Sequence, residues 1–196
     1  ANRCQRLGRG FNSLHPLQLI YFKYMKVRFC LSLSCIPSRF ENLYLTINSL
    51  QQQTLRPDKI FLSIPHRFRR FPEADVNIDN LKNLDSHNLE IIRCDDFGPG
   101  TSLLGPIDKF KNYDCVILVN DDHAYNKKMC EIFIEKFQEN REAAYSFFIY
   151  HVWGMPIAQT ADGFLVNTRL LDGIIDFYKR HVATSTVSYT HLRAHE

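Results

Sequence analysis

The stretch VILVNDDH, residues 116–123, decides the fold. Four apolar residues run directly into Asn120 and the paired acids Asp121 and Asp122. An apolar run without polar alternation is typical of a strand buried on both faces of a parallel sheet. Two adjacent carboxylates at the end of such a strand repel each other and resist desolvation. A hard divalent cation would relieve that repulsion and would also bind phosphates, whereas a strand-end turn with a helix-capping aspartate is the simpler alternative.

Strand-like and helix-like segments alternate on both sides of this stretch. Apolar runs predict five strands, at residues 27–33, 59–64, 89–93, 115–119 and 144–150. Apolar residues at helical spacing predict helices, near residues 40–53, 79–84, 101–110, 126–139 and 170–178. Right-handed crossovers between such strands predict an α/β fold with a mostly parallel sheet covered on both faces. Functional residues are then expected at the carboxyl ends of the strands.

Composition limits the class of protein. The 196 residues are 45% hydrophobic, which fits one globular domain and argues against a disordered chain. The six cysteines lack CxxC spacing, which argues against a zinc site. Those at 30, 115 and 130 lie in apolar segments and favour a reducing compartment, so we predict a cytoplasmic location. No apolar stretch approaches the ~20 residues of a transmembrane helix.

The two ends of the chain explain its basic charge. The net charge is +3, but residues 1–24 alone carry +4, which leaves 25–186 at −1. We interpret 1–24 as a leader or, preferably, as upstream translated sequence before a start at Met25. Residues 187–196, VSYTHLRAHE, resemble a translated sequencing adapter. The predicted domain is therefore 25–186, C-terminally truncated, and its near-neutral charge gives no support for a nucleic-acid partner.

A glycine-containing loop follows the predicted strand at 89–93. Residues 93–102, RCDDFGPGTS, close that strand and open a helix. Gly98 and Gly100 allow close backbone approach, and free amides at a helix N-terminus favour phosphate oxygens. A Gly-Pro-Gly turn without a ligand is the alternative. His66, Arg67, Arg69 and Arg70 follow the second strand and could help to hold a phosphate, although a solvated loop is the simpler interpretation. Residues 153–156 are interpreted as a lid or a packed corner.

Four segments occur in a characteristic order between Val27 and Tyr178. They are IPSR at 36–39, DFGPGT at 96–101, NDDHAY at 120–125 and ADGF at 161–164. In this respect the chain resembles glycosyltransferases of the GT-A fold, particularly the family-two-like enzymes. The resemblance implies a Rossmann-like three-layer sandwich. It also implies transfer of a sugar from a UDP- or GDP-sugar to a hydroxyl of a glycan, lipid or protein acceptor.

The resemblance also assigns site residues. Asp122 would bind Mn²⁺ or Mg²⁺ with Asp121 beside it, and Asp162 would lie near the donor sugar or the acceptor. Residues of the donor nucleotide site would be Pro37, Arg39, Asp96, Gly98, Gly100, Asn120 and Asp121. Asn120 and Ser102 depart from the family pattern, which often has an acid and a lysine there. The catalytic base, which in this family follows the last helix, is expected beyond residue 186.

Two alternative functions stay open at this stage. A sugar-phosphate nucleotidylyltransferase could use a similar sheet, but IPSR stands at 36–39 where its glycine-rich nucleotide loop is expected. A non-catalytic nucleotide- or sugar-binding module is favoured by Asn120, since an amide binds a cation more weakly than a carboxylate.

Overall fold

The computed structural model describes residues 5–7, 26–74, 76, 78, 81, 84 and 87–181. Its strands are β1 (Gln5–Leu7), β2 (Phe29–Ser34), β3 (Lys59–Pro65), β4 (Leu89–Cys94), β5 (Cys115–Leu118), β6 (Ala144–Ser146), β7 (Ile149–Val152), β8 (Met155–Ala158) and β9 (Phe164–Asn167). Its α-helices are α1 (Leu43–Gln51), α2 (Thr101–Leu104), α3 (Met129–Glu139) and α4 (Ile174–His181). Shorter 3-10 helices occur at Pro37–Asn42, Gly98–Gly100, Ile107–Asn112 and Thr168–Leu171.

Seven strands form one sheet in the order β1-β6-β9-β5-β2-β3-β4. Strands β5, β2, β3 and β4 pair in parallel. Strand β9 is antiparallel to β5, and β6 is antiparallel to β9, so β6 points the same way as the parallel four. Five of the seven strands therefore share one direction, which confirms the predicted α/β fold with a mostly parallel sheet.

Apolar residues on alternate positions of the central strands fill two cores. Leu31 and Leu33 of β2 belong to a cluster that includes the buried faces of α1 and α3. Cys30 and Phe61 belong to a second cluster, which includes Phe110. Because side chains alternate between the faces of a strand, each central strand contributes to both cores, and the molecule has three layers.

The structure differs from the sequence prediction mainly after residue 144. The strand predicted at 144–150 ends at Ser146, and Ile149–Val152 instead forms a separate hairpin with β8. Strand β9, which lies between β5 and β6, was not predicted. The helix predicted at 101–110 is split, as Pro106 suggests, into α2 and the 3-10 helix Ile107–Asn112.

The structure does not describe residues 8–25 or 182–196, so the predicted domain limits and the adapter interpretation stay predictions. Most of the helix predicted at 79–84 also lies outside the described residues. Within the segment interpreted as a leader, Gln5–Leu7 pairs antiparallel with β6. None of the helices in the described part of the chain is long and apolar enough to cross a bilayer.

Candidate functional site

A cavity of about 560 Å³ lies where the parallel strands end. Its wall includes Ser34, the last residue of β2, Pro65, the last residue of β3, and Leu118, the last residue of β5. Parallel strands present their carboxyl ends at one edge of the sheet, so the loops that follow them converge there. The cavity therefore occupies the edge at which the sequence predicts functional residues.

The structure brings many of the predicted site residues to this cavity. Those that line it are Arg39, Asp96, Gly98, Gly100, Asn120 and Asp121. Pro37, Asp122 and Asp162 are not among its lining residues, although Asp122 contacts Arg39. Whether these residues bind a donor nucleotide stays a prediction.

Sequence analysis missed several residues of the wall. Phe68 and Phe71 line the cavity, and so does Arg70, which the sequence analysis offered as a phosphate contact beside the simpler interpretation of a solvated loop. Thr160 also lines it, and its hydroxyl bonds the Asn120 side-chain oxygen at 3.2 Å. No local pattern marks Thr160.

Side chains from α1 and from Tyr125 fix the loop that carries the two acids. Thr46 of α1 is buried, and its hydroxyl donates to the Asp121 carbonyl at 2.9 Å. The Tyr125 hydroxyl accepts from the Asn120 N–H at 2.7 Å and donates to the Ala161 carbonyl at 2.9 Å. Tyr125 thus joins the acidic loop to the segment that carries Asp162, which is itself exposed.

Arg39 neutralises part of the charge of the two acids. Its Nη1 lies 2.6 Å from Asp121 Oδ1 and 3.2 Å from Asp122 Oδ2. The Asp121 side chain is 8% exposed and the Asp122 side chain 40% exposed. Asp121 is therefore the buried member of the pair, and Asp122 is the member that solvent reaches.

The second oxygen of Asp121 has no hydrogen-bond partner among the described residues. This atom, Oδ2, is buried, and the Cys35 thiol is near the same carboxylate. Burial, followed by the charge of Asp121, raises the pKa of the Cys35 thiol far above its ordinary value. An unpaired buried carboxylate oxygen is costly, and a cation or a donor group would relieve that cost.

Opposing effects act on the exposed acid. Partial burial raises the pKa of Asp122, but a hydrogen bond from His123 and the charge of Arg39 lower it more, so the net pKa lies below its ordinary value. The His123 Nδ1 lies 2.9 Å from Asp122 Oδ1. Asp122 is therefore ionised at neutral pH, as a ligand for a hard cation must be.

The glycine loop uses its own backbone amides. The Gly98 N–H donates to Asp96 Oδ1 at 2.7 Å, and the Phe97 N–H donates to the Thr101 hydroxyl at 3.0 Å. The Gly100 N–H donates to the Phe97 carbonyl. Gly98 has a φ of 59°, a conformation that glycine adopts easily. The loop therefore shapes the cavity wall, and these three amides are already paired within it. Contact between this loop and a phosphate stays a prediction.

The donor set of the acidic loop suits a hard cation but does not enclose one. Asp121 Oδ2 and the Asp122 carboxylate are oxygen ligands of the kind that Mg²⁺ and Mn²⁺ prefer. Within the described residues, no group of three or more His, Cys, Asp or Glu side chains is arranged to hold a metal ion. A cation bound here would therefore complete its shell with water and with oxygens of a ligand.

Comparison with solved structures identifies the fold. A mannosyltransferase from Pyrobaculum calidifontis, solved with GDP-Man and Mn²⁺, aligns over 80% of this chain with a TM-score of 0.54 and 10% identity. S. aureus TarS (residues 1–349), solved with UDP, aligns over 75% with a TM-score of 0.51 and 13% identity. The fold is GT-A-like. This chain spans 54% of the mannosyltransferase structure and 48% of the TarS structure, so it covers about half of each.

A nucleotidyltransferase shares this GT-A-like fold. The 4-diphosphocytidyl-2C-methyl-D-erythritol synthase of Anaerococcus prevotii aligns over 82% of this chain and 78% of its own, with a TM-score of 0.53 and 11% identity. No protein-family model matches the sequence, and no curated protein matches it either. At these identities the comparisons show the fold alone.

Proposed function

We propose that this chain is the donor-binding part of a glycosyltransferase that moves a sugar from a nucleoside-diphosphate donor to an acceptor hydroxyl. The observation that carries the proposal is the pair Asp121 and Asp122, which follows a central parallel strand and of which Asp121 lines the 560 Å³ cavity. The GT-A-like fold supports it, because structures with this fold hold GDP-Man with Mn²⁺ and UDP.

The proposed site binds a divalent cation, Mn²⁺ or Mg²⁺, through the carboxylates of Asp121 and Asp122. The Oδ2 atom of Asp121, which has no hydrogen-bond partner among the described residues, supports this assignment. Such a cation supplies Lewis-acid stabilisation for a departing diphosphate. The chain's own contribution is to fix the backbone that carries both carboxylates, through the bond from the Thr46 hydroxyl to the Asp121 carbonyl. Arg39 and Arg70 add positive charge to the cavity wall, which suits an anionic ligand.

The test is nucleotide binding, because the proposal concerns the donor site. Calorimetric titration with UDP and GDP, with and without Mn²⁺, is expected to show binding that requires the metal. Asp122→Asn removes the exposed carboxylate and is expected to abolish the metal-dependent part. Asp108→Asn is the matched control, since Asp108 is an exposed acid paired with Lys111 in the 3-10 helix 107–112. Metal-dependent binding that survives Asp122→Asn unchanged contradicts the proposal.

A nucleotidyltransferase is the second candidate, because the A. prevotii enzyme is matched over more of its own length than the two glycosyltransferases. This candidate predicts binding of a nucleoside triphosphate and release of pyrophosphate when a sugar phosphate is added. The glycosyltransferase proposal predicts instead binding of a nucleoside diphosphate. A pyrophosphate-release assay with each nucleoside triphosphate distinguishes the two.

The proposal also covers the acceptor and the cellular compartment. The proposed acceptor is a hydroxyl group of a glycan, a lipid or a protein. A cytoplasmic location is supported by the free thiols of the described cysteines, which are Cys30, Cys35, Cys94, Cys115 and Cys130.

A further inference from the structure

Arg39 bridges the same two acids that a shared divalent cation would bind. A single nitrogen, Nη1, contacts one oxygen of Asp121 and one oxygen of Asp122. The two carboxylates carry two negative charges and the guanidinium one positive charge, so the cluster has a net charge of about −1. The buried Asp121 has no other cationic contact among the ion pairs of the described residues.

The Arg39 side chain is also placed to leave this position. It is 45% exposed and lines the same cavity as Asp121. Arginine binds phosphate oxygens through two parallel hydrogen bonds, and its long side chain can exchange partners by rotation alone. A diphosphate in the cavity would therefore compete with the carboxylates for the guanidinium.

We propose that Arg39 is a displaceable counterion, which holds the site of the divalent cation between Asp121 and Asp122 until a nucleoside diphosphate draws it away. This inference rests on the proposed function for the identity of the ligand. A divalent cation approaching the cluster meets a net charge of about −1 while Arg39 is in place and about −2 once it has moved. Binding of the cation and binding of the nucleotide therefore favour each other through Arg39.

Thermodynamic linkage makes the coupling measurable from either ligand. The factor by which bound nucleotide raises the affinity for the cation must equal the factor by which bound cation raises the affinity for the nucleotide. Part of that factor comes from direct contact between cation and phosphate and is independent of Arg39. The part that Arg39 contributes to the factor is lost when the charge of Arg39 is removed. The cation then binds more tightly even in the absence of nucleotide.

The first experiment contains no nucleotide. Free Mn²⁺ is titrated by electron paramagnetic resonance into the wild type, Arg39→Gln, Arg39→Lys and Arg56→Gln. Arg39→Gln is expected to bind Mn²⁺ about tenfold more tightly than the wild type. Arg39→Lys keeps a positive charge beside the acids, so its Mn²⁺ affinity should stay close to that of the wild type. Arg56→Gln removes the same charge from an exposed loop and serves as the control for net charge.

The second experiment repeats each titration with saturating UDP, then with GDP. The tightening of Mn²⁺ by nucleotide is expected to be about tenfold smaller in Arg39→Gln than in the wild type. Circular dichroism checks that each variant is folded. Arg39→Met, which also removes the charge and keeps a long side chain, replaces Arg39→Gln if that variant does not fold, and it carries the same expectation of about tenfold tighter Mn²⁺ binding.

The outcomes separate this inference from the proposed function. If a folded Arg39→Gln binds Mn²⁺ as weakly as the wild type or more weakly, Arg39 does not compete with the cation and the inference is wrong. An unchanged coupling factor in that variant overturns it equally. If the wild type binds Mn²⁺ but neither nucleotide, the proposed function fails, while the nucleotide-free titration still decides whether Arg39 and the cation compete.

Discussion

The parallel half of the large sheet and the second half of the domain, residues 144–167, differ in how strongly they are buried. In the parallel half, β2 and β5 are buried along almost their whole length. In the second half, β9 is largely buried beside β5, but the hairpin β7–β8 forms a separate two-stranded sheet and exposes Tyr150, Trp153 and Met155. The cavity lies at the edge of the parallel half, and the second half adds Thr160 to its wall. The parallel strands and the loops that follow them therefore supply most of the cavity wall.

The largest expected effect compares one aromatic residue from each half. Phe61 is buried beside Phe110 and Tyr113, so Phe61→Ala is expected to lower the free energy of unfolding by about 3–5 kcal/mol. Tyr150 is 52% exposed, so Tyr150→Ala should change it by less than ~0.5 kcal/mol. Urea denaturation measures both. Equal losses would mean that the hairpin is as well packed as the parallel half.

The next effect concerns the turn before β9. Gly163 has a φ of 104°, and a Cβ there would lie 2.8 Å from Cε2 of Phe133. Gly163→Ala is therefore expected to cost about 1–3 kcal/mol, through backbone strain and overpacking. Gly154→Ala is the matched control, since Gly154 also has a positive φ but open space around it. If the two variants lose the same stability, backbone strain alone accounts for the cost.

A smaller effect tests the connection between the halves. Tyr125→Phe removes the hydroxyl that joins Asn120 to Ala161, and is expected to cost about 1–2 kcal/mol because it leaves part-buried backbone groups unpaired. Tyr113→Phe changes the same group at another tyrosine and provides the comparison. Chemical denaturation of both variants measures the difference. The link is refuted if Tyr125→Phe is as stable as the wild type.

The smallest effect lies at the tip of the hairpin. Trp153 is 94% exposed and has a φ of 48°, and Gly154 follows with a φ of 77°. Asn-Gly suits such a turn better than Trp-Gly, so Trp153→Asn should stabilise the hairpin by about 0.5–1 kcal/mol. Amide hydrogen exchange should slow in β7 and β8 while the global free energy of unfolding stays constant. A rise in global stability would instead indicate that the hairpin unfolds together with the sheet.

The same contrast explains what the sequence could predict. The parallel strands were predicted because burial on both faces demands uniform apolar runs, and these runs are visible locally. Strand β9 has only four residues, and its position follows from pairing with β5 and β6, which no local pattern records. The hairpin turn at Trp153 lacks the Asn-Gly signal that marks such turns. The acids were located from their place after β5, but their contact with Arg39 joins residues 82 positions apart.

The Gln53 side chain connects the chain that follows the acidic loop to two helices. This side chain is buried and donates to the Ser49 and Asn126 carbonyls, and its oxygen accepts from the Cys130 N–H. The end of α1, the chain after the acids and the start of α3 are therefore joined by one residue. A ligand thus meets a backbone that is organised before it arrives, which reduces the entropic cost of binding. The adjustment that remains falls to the side chains of Arg39 and Asp122.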